Sequence, residues 1–388
     1  MMKKNTHKII TIALFSLMSL VIPVITLINC FVNQGKVFSE NENRYLQDFP
    51  ELSFDNIIDK EFTPDFEEYF SDRIFLREQW IGLKNNFDKL LGKTEIKGIF
   101  TADGRMIEAW KSYDKESVNK NLTAMNQFAE KHPDLKMYFM LAPTAQGIYE
   151  DTLPKNSGIE NQKAFIKNCY ENTPAITNID VFSDLNAAKN NYIYYRTDHH
   201  WTSLAAYYSY NAASKIMKFN PYTLDNFSVE HASNSFRGTL YSKTLDNGIT
   251  PDTIDYYSLA SGDPQVIVSV NNGIETKEYG SMYFRDYLTK KDKYSSFLGA
   301  NVPVLNIKSS ISAEADNGSL LVIKDSYAHS LVPFLSKNYS NITVVDLRYI
   351  NGTFEDVGVN LEDYGSVLFM YNVITFSQDL NLKKLSFM

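Results

Sequence analysis

Residues 318–339, GSLLVIKDSYAHSLVPFLSKNY, decide the fold class of this chain. Leu320 to Ile323 form a short apolar run that is typical of a buried strand, and a helical pattern follows it directly. A buried strand that leads into a helix is the repeating unit of a sheet covered by helices. The stretch therefore predicts an α/β protein, and it places Asp325 and Ser326 at a junction between strand and helix.

The same alternation continues on both sides of this stretch. A hairpin is predicted around Asp103-Gly104, and an amphipathic helix from Asp114 to Lys131 is ended by Pro133. Further strands are predicted in 135–143, 176–182, 190–196, 342–350 and 364–376, and further helices in 164–173 and 203–219. This order predicts a mostly parallel sheet covered by helices. Residues 221–309, rich in Asn, Asp, Tyr and Gly, are predicted to form an irregular insertion.

The N-terminal segment predicts a location. Residues 9–32 contain no charged side chain, and 24 residues at about 1.5 Å each can span a bilayer core of about 30 Å. Lys3, Lys4 and Lys8 precede the segment, which favours a cytoplasmic N-terminus at residues 1–8. We therefore expect a single-pass anchor in the cell membrane with the rest of the chain outside. A cleaved signal peptide, or a lipoprotein site at Cys30, is the alternative.

Between the anchor and the main domain, residues 33–95 are predicted to form a juxtamembrane linker and one packing helix. The helix is expected between Asp72 and Leu91, because apolar residues recur there at steps of three to four, and Gly92 is a plausible stop. Its apolar stripe is expected to pack on the main domain, residues 96–388.

The composition excludes several classes of function. The 388 residues carry a net charge of −8 and contain no basic run, so nucleic acid is an unexpected partner. Only Cys30 and Cys169 are present, which leaves no cysteine cluster for zinc and no disulfide within the main domain. No cofactor is predicted.

Two junctions place reactive side chains where α/β sheets bind ligands, at the carboxyl ends of strands. Asp198 and His200 follow the strand predicted at 190–196, and a hydrogen bond between them would leave the other ring nitrogen of His200 free as a base. Ser326 follows the strand of the opening stretch, beside amide groups of the first helical turn that could stabilise an oxyanion. Together they predict a Ser-His-Asp triad, although Ser326 could equally be only a helix cap.

Other side chains near these junctions are weaker candidates. Trp201 could stack on a sugar ring, but packing under the turn is favoured. Arg348 and Asn372 stand at strand ends and could touch the substrate, and His199 could do so or brace its loop. Asp198, His199 and His200 could instead bind a cation, as in metal-dependent phosphoesterases, but the further aspartates of such sites are not evident, so no metal is predicted.

The motif YYRTDHHWT, residues 194–202, resembles the signature of the DHHW family of bacterial surface proteins. This family is similar to the alginate O-acetyltransferases and, more distantly, to SGNH hydrolases. Weaker likeness extends over most of the chain after the anchor, including ENRYLQDFPELS, YFSDRIFLREQW, LAPTAQGIYEDTLP, VIKDSYAHSLVPFL and DLRYI. The doubled histidine departs from the alginate relatives, which have a different residue before the catalytic histidine.

The resemblance implies an SGNH-hydrolase-like α/β/α sandwich in which Asp198, His200 and Ser326 form the catalytic triad. It implies transfer of acetyl groups to a cell-surface polysaccharide, beside a multipass membrane acyltransferase as partner. The residues alone do not separate a transferase from an esterase that removes acetyl groups. A glycan-binding or assembly subunit without catalysis, and a metal-dependent phosphoesterase, are the rival hypotheses.

Overall fold

The computed structural model describes residues 2–32, 37–312 and 316–388. Residues 33–36 of the predicted linker and 313–315 of the predicted main domain therefore lie outside the described residues, as does Met1. The chain divides into two compact units, one formed by Met1–Lys97 with Tyr241–Gly248 and the other by Gly98–Leu240 with Ile249–Met388. The second unit contains every predicted site residue.

The helices and strands of the described residues are numbered in chain order. The helices are α1 Met2–Val32, α2 Phe54–Ile58, α3 Phe62–Asp72, α4 Arg77–Leu90, α5 Lys115–Lys131, α6 Ala145–Ile148, α7 Gln162–Glu171, α8 Phe182–Ala187, α9 Ser203–Met217, α10 Thr239–Thr244, α11 Ala328–Leu335 and α12 Val373–Gln378. The strands are β1 Phe38–Ser39, β2 Arg44–Tyr45, β3 Glu95–Ile96, β4 Ile99–Ala102, β5 Arg105–Glu108, β6 Lys136–Ala142, β7 Thr177–Asn178, β8 Phe227–Phe236, β9 Asp252–Leu259, β10 Val266–Asn271, β11 Thr276–Tyr279, β12 Val304–Ser309, β13 Ser319–Lys324, β14 Asn341–Val345 and β15 Ser366–Asn372.

The second unit is built on an eight-stranded sheet in the order β11-β10-β12-β14-β13-β15-β6-β7. The five strands from β14 to β7 are parallel, with β13 paired to β14 and β15, and β6 paired to β15 and β7. The prediction of an α/β fold with a mostly parallel sheet is therefore confirmed. The carboxyl ends of the five strands share one edge, and Ser326 follows the central strand β13 there.

The sheet is covered on both faces because its central strands are apolar on both. Along β13, Leu320 and Val322 pack into one core, and Leu321 and Ile323 pack into the other. The first core is shared with α9 and α11, and the second with α5 and α12. Full burial of both strand faces is what a continuous apolar run predicts, in contrast to the alternation of a half-exposed strand. The architecture is a three-layer α/β/α sandwich.

The region 221–309 contributes strands as well as loops. It contains β8 and β9, which form an antiparallel pair, and it supplies β10, β11 and β12, which extend the main sheet in antiparallel order. Along most of β9, buried positions alternate with partly exposed ones, and in β10 only Val268 is fully buried, as expected of strands that lie near an edge of the main sheet or outside it. The insertion is therefore part of the sheet as well as a source of loops.

The first unit contains the segments that were predicted as the membrane anchor and the packing helix. Within the described residues, no helix has both the length and the apolar content needed to cross a lipid bilayer, so the anchor predicted at 9–32 gains no support. The predicted packing helix is present as α4, which Leu91 and Gly92 end. Most of its apolar stripe is exposed, however: Leu83 is 60%, Phe87 58% and Leu90 82% accessible. That this stripe packs on the main domain stays a prediction.

Candidate active site

Ser326 lies in a three-residue turn between β13 and α11, and the preceding aspartate fixes this turn. Asp325 is fully buried and accepts hydrogen bonds from the Tyr327 amide (2.9 Å), the Asn372 amide (2.8 Å) and the Asn372 side chain (2.6 Å). The carboxylate thus ties the end of β13 to the end of β15 and to the first turn of α11. Ser326 is held at the sheet edge by this tie.

The turn that carries Asp198 and His200 is not the end of a strand, contrary to the prediction for 190–196. These residues form only an isolated antiparallel bridge between Tyr194 and Trp201, which closes a loop around the motif. Buried Asp252 braces the loop, because its carboxylate accepts the amides of Arg196 (2.6 Å) and Thr197 (2.8 Å). The cluster of apolar and aromatic residues in this run therefore belongs to a packed loop.

The structure brings the three predicted residues into one hydrogen-bonded chain. The Nε2 atom of His200 lies 2.7 Å from the Ser326 hydroxyl, and its Nδ1 atom lies 2.6 Å from Asp198 Oδ1. An ionised carboxylate only accepts, so Nδ1 carries the hydrogen and Nε2 offers a lone pair to the hydroxyl. This is the geometry in which an imidazole can take the proton of a serine.

Asp198 is saturated with hydrogen bonds. Its Oδ1 atom also accepts the His200 amide (3.0 Å), and its Oδ2 atom accepts the Thr239 amide (2.8 Å) and hydroxyl (3.0 Å). Gly238 allows this approach, since a Cβ atom there would lie 2.2 Å from Asp198 Oδ2. Both residues come from the insertion, and sequence reasoning missed them because only the fold brings them to the motif.

The electrostatics favour an ionised aspartate and a neutral histidine. Burial would raise the pKa of Asp198, but the neighbouring His199 and His200 and its hydrogen bonds outweigh burial and hold this pKa well below the usual range. Burial, helped by His199, lowers the pKa of His200, and Asp198 offsets only part of this. His200 is therefore available as an unprotonated base at neutral pH.

Tyr294 is a further residue that the sequence did not reveal. Its ring stacks on the His200 imidazole with centroids 3.7 Å apart and planes at 10°. Its hydroxyl donates to the Ser326 carbonyl at 3.0 Å, so the same side chain contacts both the base and the turn of the candidate nucleophile. Tyr294 precedes the sheet strand β12 in an irregular segment that offers no sequence signal for this position.

The predicted oxyanion donors require a correction. In the first turn of α11, the Tyr327 amide donates to the Asp325 side chain, the Ala328 amide to the Asp325 carbonyl (3.3 Å), and the His329 amide to the Ser326 carbonyl (3.1 Å). These groups are engaged within the turn. In the described parts of the chain, the amide of Ser326 itself makes no hydrogen bond, which leaves it available as a donor.

Two of the candidate substrate contacts, Trp201 and Asn372, are buried in this structure. Trp201 is fully buried, and its indole N–H donates to the Tyr327 carbonyl (3.0 Å) and the Ser330 hydroxyl (2.9 Å), so its ring cannot stack on a sugar. Asn372 is also buried, and both amide hydrogens are used, on Asp325 and on Thr375. Both side chains instead stabilise the residues around Ser326 through these hydrogen bonds.

The other two predicted contacts remain predictions. Arg348 is held by both oxygens of Asp346 at 2.8 and 2.7 Å, and its side chain is 31% accessible. His199 has an accessible fraction of 32%, lies over the His200 ring, and contacts the Thr239 hydroxyl through Nδ1 at 2.7 Å. Both lie near the carboxyl edge of the sheet, where a ligand could reach them. The His199 ring also packs against the His200 ring.

Asp198, His199 and His200 also meet the geometric requirement for a metal site. Their possible ligand atoms lie within 4.8 Å of one another. Both oxygens of Asp198 and both ring nitrogens of His200 are already engaged in hydrogen bonds. A cation would have to displace the contacts of the triad, so the donor set fits proton transfer better than metal binding.

The comparisons with known proteins identify the family. The sequence model of the DHHW protein family matches residues 108–345, which is more than half of the chain and includes Asp198, His200 and Ser326. The chain belongs to the DHHW family. No curated protein matches the chain significantly.

Solved structures support the fold. A DHHW family protein from Eubacterium siraeum is 24% identical, with 75% of this chain and 95% of the other covered and a TM-score of 0.63. PatB1 from Bacillus cereus with a sulfonyl adduct is 18% identical, with 74% and 99% covered and a TM-score of 0.58. The O-acetyltransferase domain of Pseudomonas putida AlgJ is 12% identical, with 74% and 98% covered and a TM-score of 0.46. At these sequence identities the similarity shows the fold alone.

Proposed function

We propose that this DHHW family member is an acyl-transfer enzyme that uses Ser326 as nucleophile, His200 as general base and acid, and Asp198 as the residue that orients His200. The observation that carries the proposal is the continuous chain of contacts from the Ser326 hydroxyl through both ring nitrogens of His200 to Asp198. A serine that acts only as a helix cap would not need an oriented imidazole on its hydroxyl.

In the acylation step, Ser326 Oγ attacks the carbonyl carbon of an acyl donor and its proton passes to His200 Nε2. The oxyanion that forms is stabilised by the Ser326 amide. The carbon–oxygen bond to the leaving group then breaks, and the leaving group takes the proton from His200. The products of this step are an acyl-Ser326 ester and a neutral His200.

In the second step, a hydroxyl group of the acceptor attacks the acyl carbon. His200 takes the proton of that hydroxyl and returns it to Ser326 Oγ as the acyl–serine bond breaks. Attack by a sugar hydroxyl gives transfer, and attack by water gives hydrolysis. Asp198 stays ionised throughout and stabilises the imidazolium in both steps, consistent with its lowered pKa.

A structural neighbour supports the assignment of a reactive nucleophile. PatB1 from Bacillus cereus, which shares the fold, carries a sulfonyl adduct in its structure. Sulfonyl reagents form such adducts with activated hydroxyl nucleophiles, so the fold can house one. This supports acyl chemistry at Ser326 by analogy of fold.

The finer parts of the proposal rest on the family resemblance. We infer an acetyl group as the acyl group, a cell-surface polysaccharide as the acceptor, an SGNH-like catalytic unit, and a multipass membrane acyltransferase as the partner that supplies acetyl groups. We also infer that the catalytic unit works outside the cytoplasm, held at the cell membrane. Fractionation of the source cells, with protease applied from outside, tests the location, since an internal protein would resist cleavage.

The full chain can be tested directly with an acetyl ester as donor and an oligosaccharide as acceptor. We expect acetylated sugar, detected by mass spectrometry, and its loss in the Ser326→Ala variant. Free acetate without acetylated sugar would identify an esterase instead. If neither product forms, and Ser326→Ala leaves surface acetylation unchanged in cells, the chain is a binding or assembly subunit. Loss of activity with a chelator would favour the metal-dependent phosphoesterase.

A further inference from the structure

The His200 imidazole is held between two rings. Tyr294 stacks on it with centroids 3.7 Å apart, and His199 lies over it with centroids 3.9 Å apart and planes at 37°. At these distances each ring must lie over a face of the imidazole, and two rings on one face would overlap. Tyr294 and His199 therefore cover opposite faces. The His200 ring cannot rotate about its χ2 angle without moving one of them.

The hydrogen positions around His199 follow from counting protons. The Thr239 hydroxyl lies 3.0 Å from Asp198 Oδ2 and 2.7 Å from His199 Nδ1. A hydroxyl has one hydrogen, and a contact with a buried carboxylate requires it, so Thr239 donates to Asp198 and accepts from His199. His199 therefore carries its hydrogen on Nδ1.

We propose that His199 is a positioning residue of the triad: its ring closes one face of the His200 imidazole opposite Tyr294, and its Nδ1–H group holds Thr239, which holds Asp198. The proposal deepens the proposed function and rests on it. His199 thus acts on His200 directly and on Asp198 through Thr239, and it does not contact the Ser326 hydroxyl. The first histidine of the DHHW motif thereby acquires a role distinct from that of the second.

The two contacts of His199 can be separated by substitution. His199→Phe keeps a ring over His200 and removes the donor to Thr239, whereas His199→Asn keeps a donor near Nδ1 and removes the ring. Thr239→Val keeps the Thr239 amide on Asp198 and removes the hydroxyl that links the two residues. His231→Phe serves as a matched control, because His231 is an exposed histidine paired with Asp255 in the β8–β9 hairpin.

The measurement is the rate at which a sulfonyl fluoride labels Ser326 in the full chain, followed by intact mass. This reaction reports activation of the hydroxyl and needs neither acyl donor nor acceptor. We expect His199→Phe, His199→Asn and Thr239→Val each to label roughly ten- to a hundredfold more slowly, as for other small displacements of a reacting group. His231→Phe should label at the wild-type rate.

Double variants test whether His199, Thr239 and Asp198 act through one chain of hydrogen bonds. His199→Phe combined with Thr239→Val should be no slower than either alone, because both break the same link to Asp198. His199→Asn combined with Thr239→Val should be slower than either, because one removes the ring and the other the link. If the losses in labelling rate add fully in both double variants, the proposed chain of hydrogen bonds from His199 to Asp198 is overturned. Circular dichroism verifies folding, and if the His199 variants do not fold, the Thr239→Val rate alone decides.

A pH profile of labelling distinguishes positioning from general structural support. Burial lowers the pKa of His200 and the neighbouring His199 lowers it further, so both His199 variants should move the acid limb of the profile to higher pH. The other titratable groups that face His200 are Asp198, Asp292, Tyr294, Tyr327 and His329. They are unchanged in these variants, and an unmoved acid limb would contradict the proposal.

The outcomes separate the two levels of inference. If the wild-type protein labels no faster than Ser326→Ala, the proposed nucleophile fails, and the positioning role fails with it. If Ser326 labels in the wild type but all His199 and Thr239 variants label at the same rate, only the positioning role is overturned.

Discussion

Two buried histidines flank Ser326, and they differ in what occupies their second ring nitrogen. His200 is 6% and His329 is 5% accessible, and burial lowers the pKa of both. His200 points its Nε2 atom at the Ser326 hydroxyl. His329 has Nδ1 on the Phe297 carbonyl at 3.0 Å and Nε2 on the Lys324 ammonium at 2.8 Å.

The comparison shows that burial does not make a histidine a base. The lone pair of His329 accepts a hydrogen from the buried Lys324 ammonium. This contact satisfies one of the three donors of the ammonium group. Taking a proton there would place two positive charges side by side in the interior. The lone pair of His200 instead faces a hydroxyl that can give up its proton. His200 is therefore suited to catalysis and His329 to support of the turn.

The largest expected effect comes from exchanging the base. His200→Ala should lower the rate of acyl transfer at least about a thousandfold, as loss of a triad histidine does in serine enzymes. His329→Gln, which keeps an oxygen acceptor near Lys324, should stay within about tenfold of the wild type because it does not touch the proton path. The measurement is the turnover rate on an acetyl ester at neutral pH.

This pair of variants can break the comparison. Equal losses in both variants, with folding intact, would mean that His329 takes part in the reaction and that the two histidines are not different in kind. The turnover rate of Ser326→Ala gives the background with which both variants are compared.

The next effect concerns Asp198. Gly238→Ala places a Cβ atom 2.2 Å from Asp198 Oδ2, so the carboxylate must shift and His200 must follow it. We expect a loss of turnover of roughly a hundredfold, the scale of a displacement of about 1 Å at a reacting group. Gly280→Ala is the matched control, since a Cβ atom there has open space and the backbone needs no positive φ. Unchanged turnover in Gly238→Ala would show that the orientation of Asp198 is not limiting.

The supporting role of His329 predicts a change in stability that His200 does not share. His329→Phe removes an acceptor from the buried Lys324 ammonium, which keeps only Asn301 at 2.8 Å and Asp346 at 3.1 Å. An unsatisfied buried donor costs about 1–3 kcal/mol, so the free energy of unfolding should fall by that amount. Chemical denaturation measures it, with His329→Gln as the control that restores an acceptor. A wild-type unfolding free energy in His329→Phe would contradict this role.

The sequence predicts the parts of this site that depend on local patterns. The apolar run of β13 followed by a helical pattern places Ser326 at a strand end, and the motif at 198–200 supplies a paired acid and base. The meeting of the two could be predicted because both were expected at one edge of the sheet. The run at 190–196 was misread as a strand because apolar and aromatic residues cluster equally well in a packed loop.

The remaining parts depend on contacts that are distant along the chain. Gly238, Thr239 and Asp252 approach the motif from the insertion, and Tyr294 comes from an irregular segment before β12. No local pattern in the sequence indicates that these residues meet the motif, and each acquires its role from the fold around it. The buried state of Trp201 was favoured by the sequence analysis, while the roles of Asn372 and the first-turn amides required the hydrogen-bond network itself.

The smallest expected effect is the position of the acid limb of the pH profile, and it tests the same comparison. Catalysis needs neutral His200, so activity falls as pH drops through its pKa, which burial and His199 place below the ordinary value of 6.5. Activity should therefore persist at pH values where an unperturbed histidine would already be protonated. Because His329 is locked by Lys324, His329→Gln should change the limb far less than a His199 substitution does. A limb at or above 6.5 in the wild type would show that Asp198 outweighs burial and His199 at this ring.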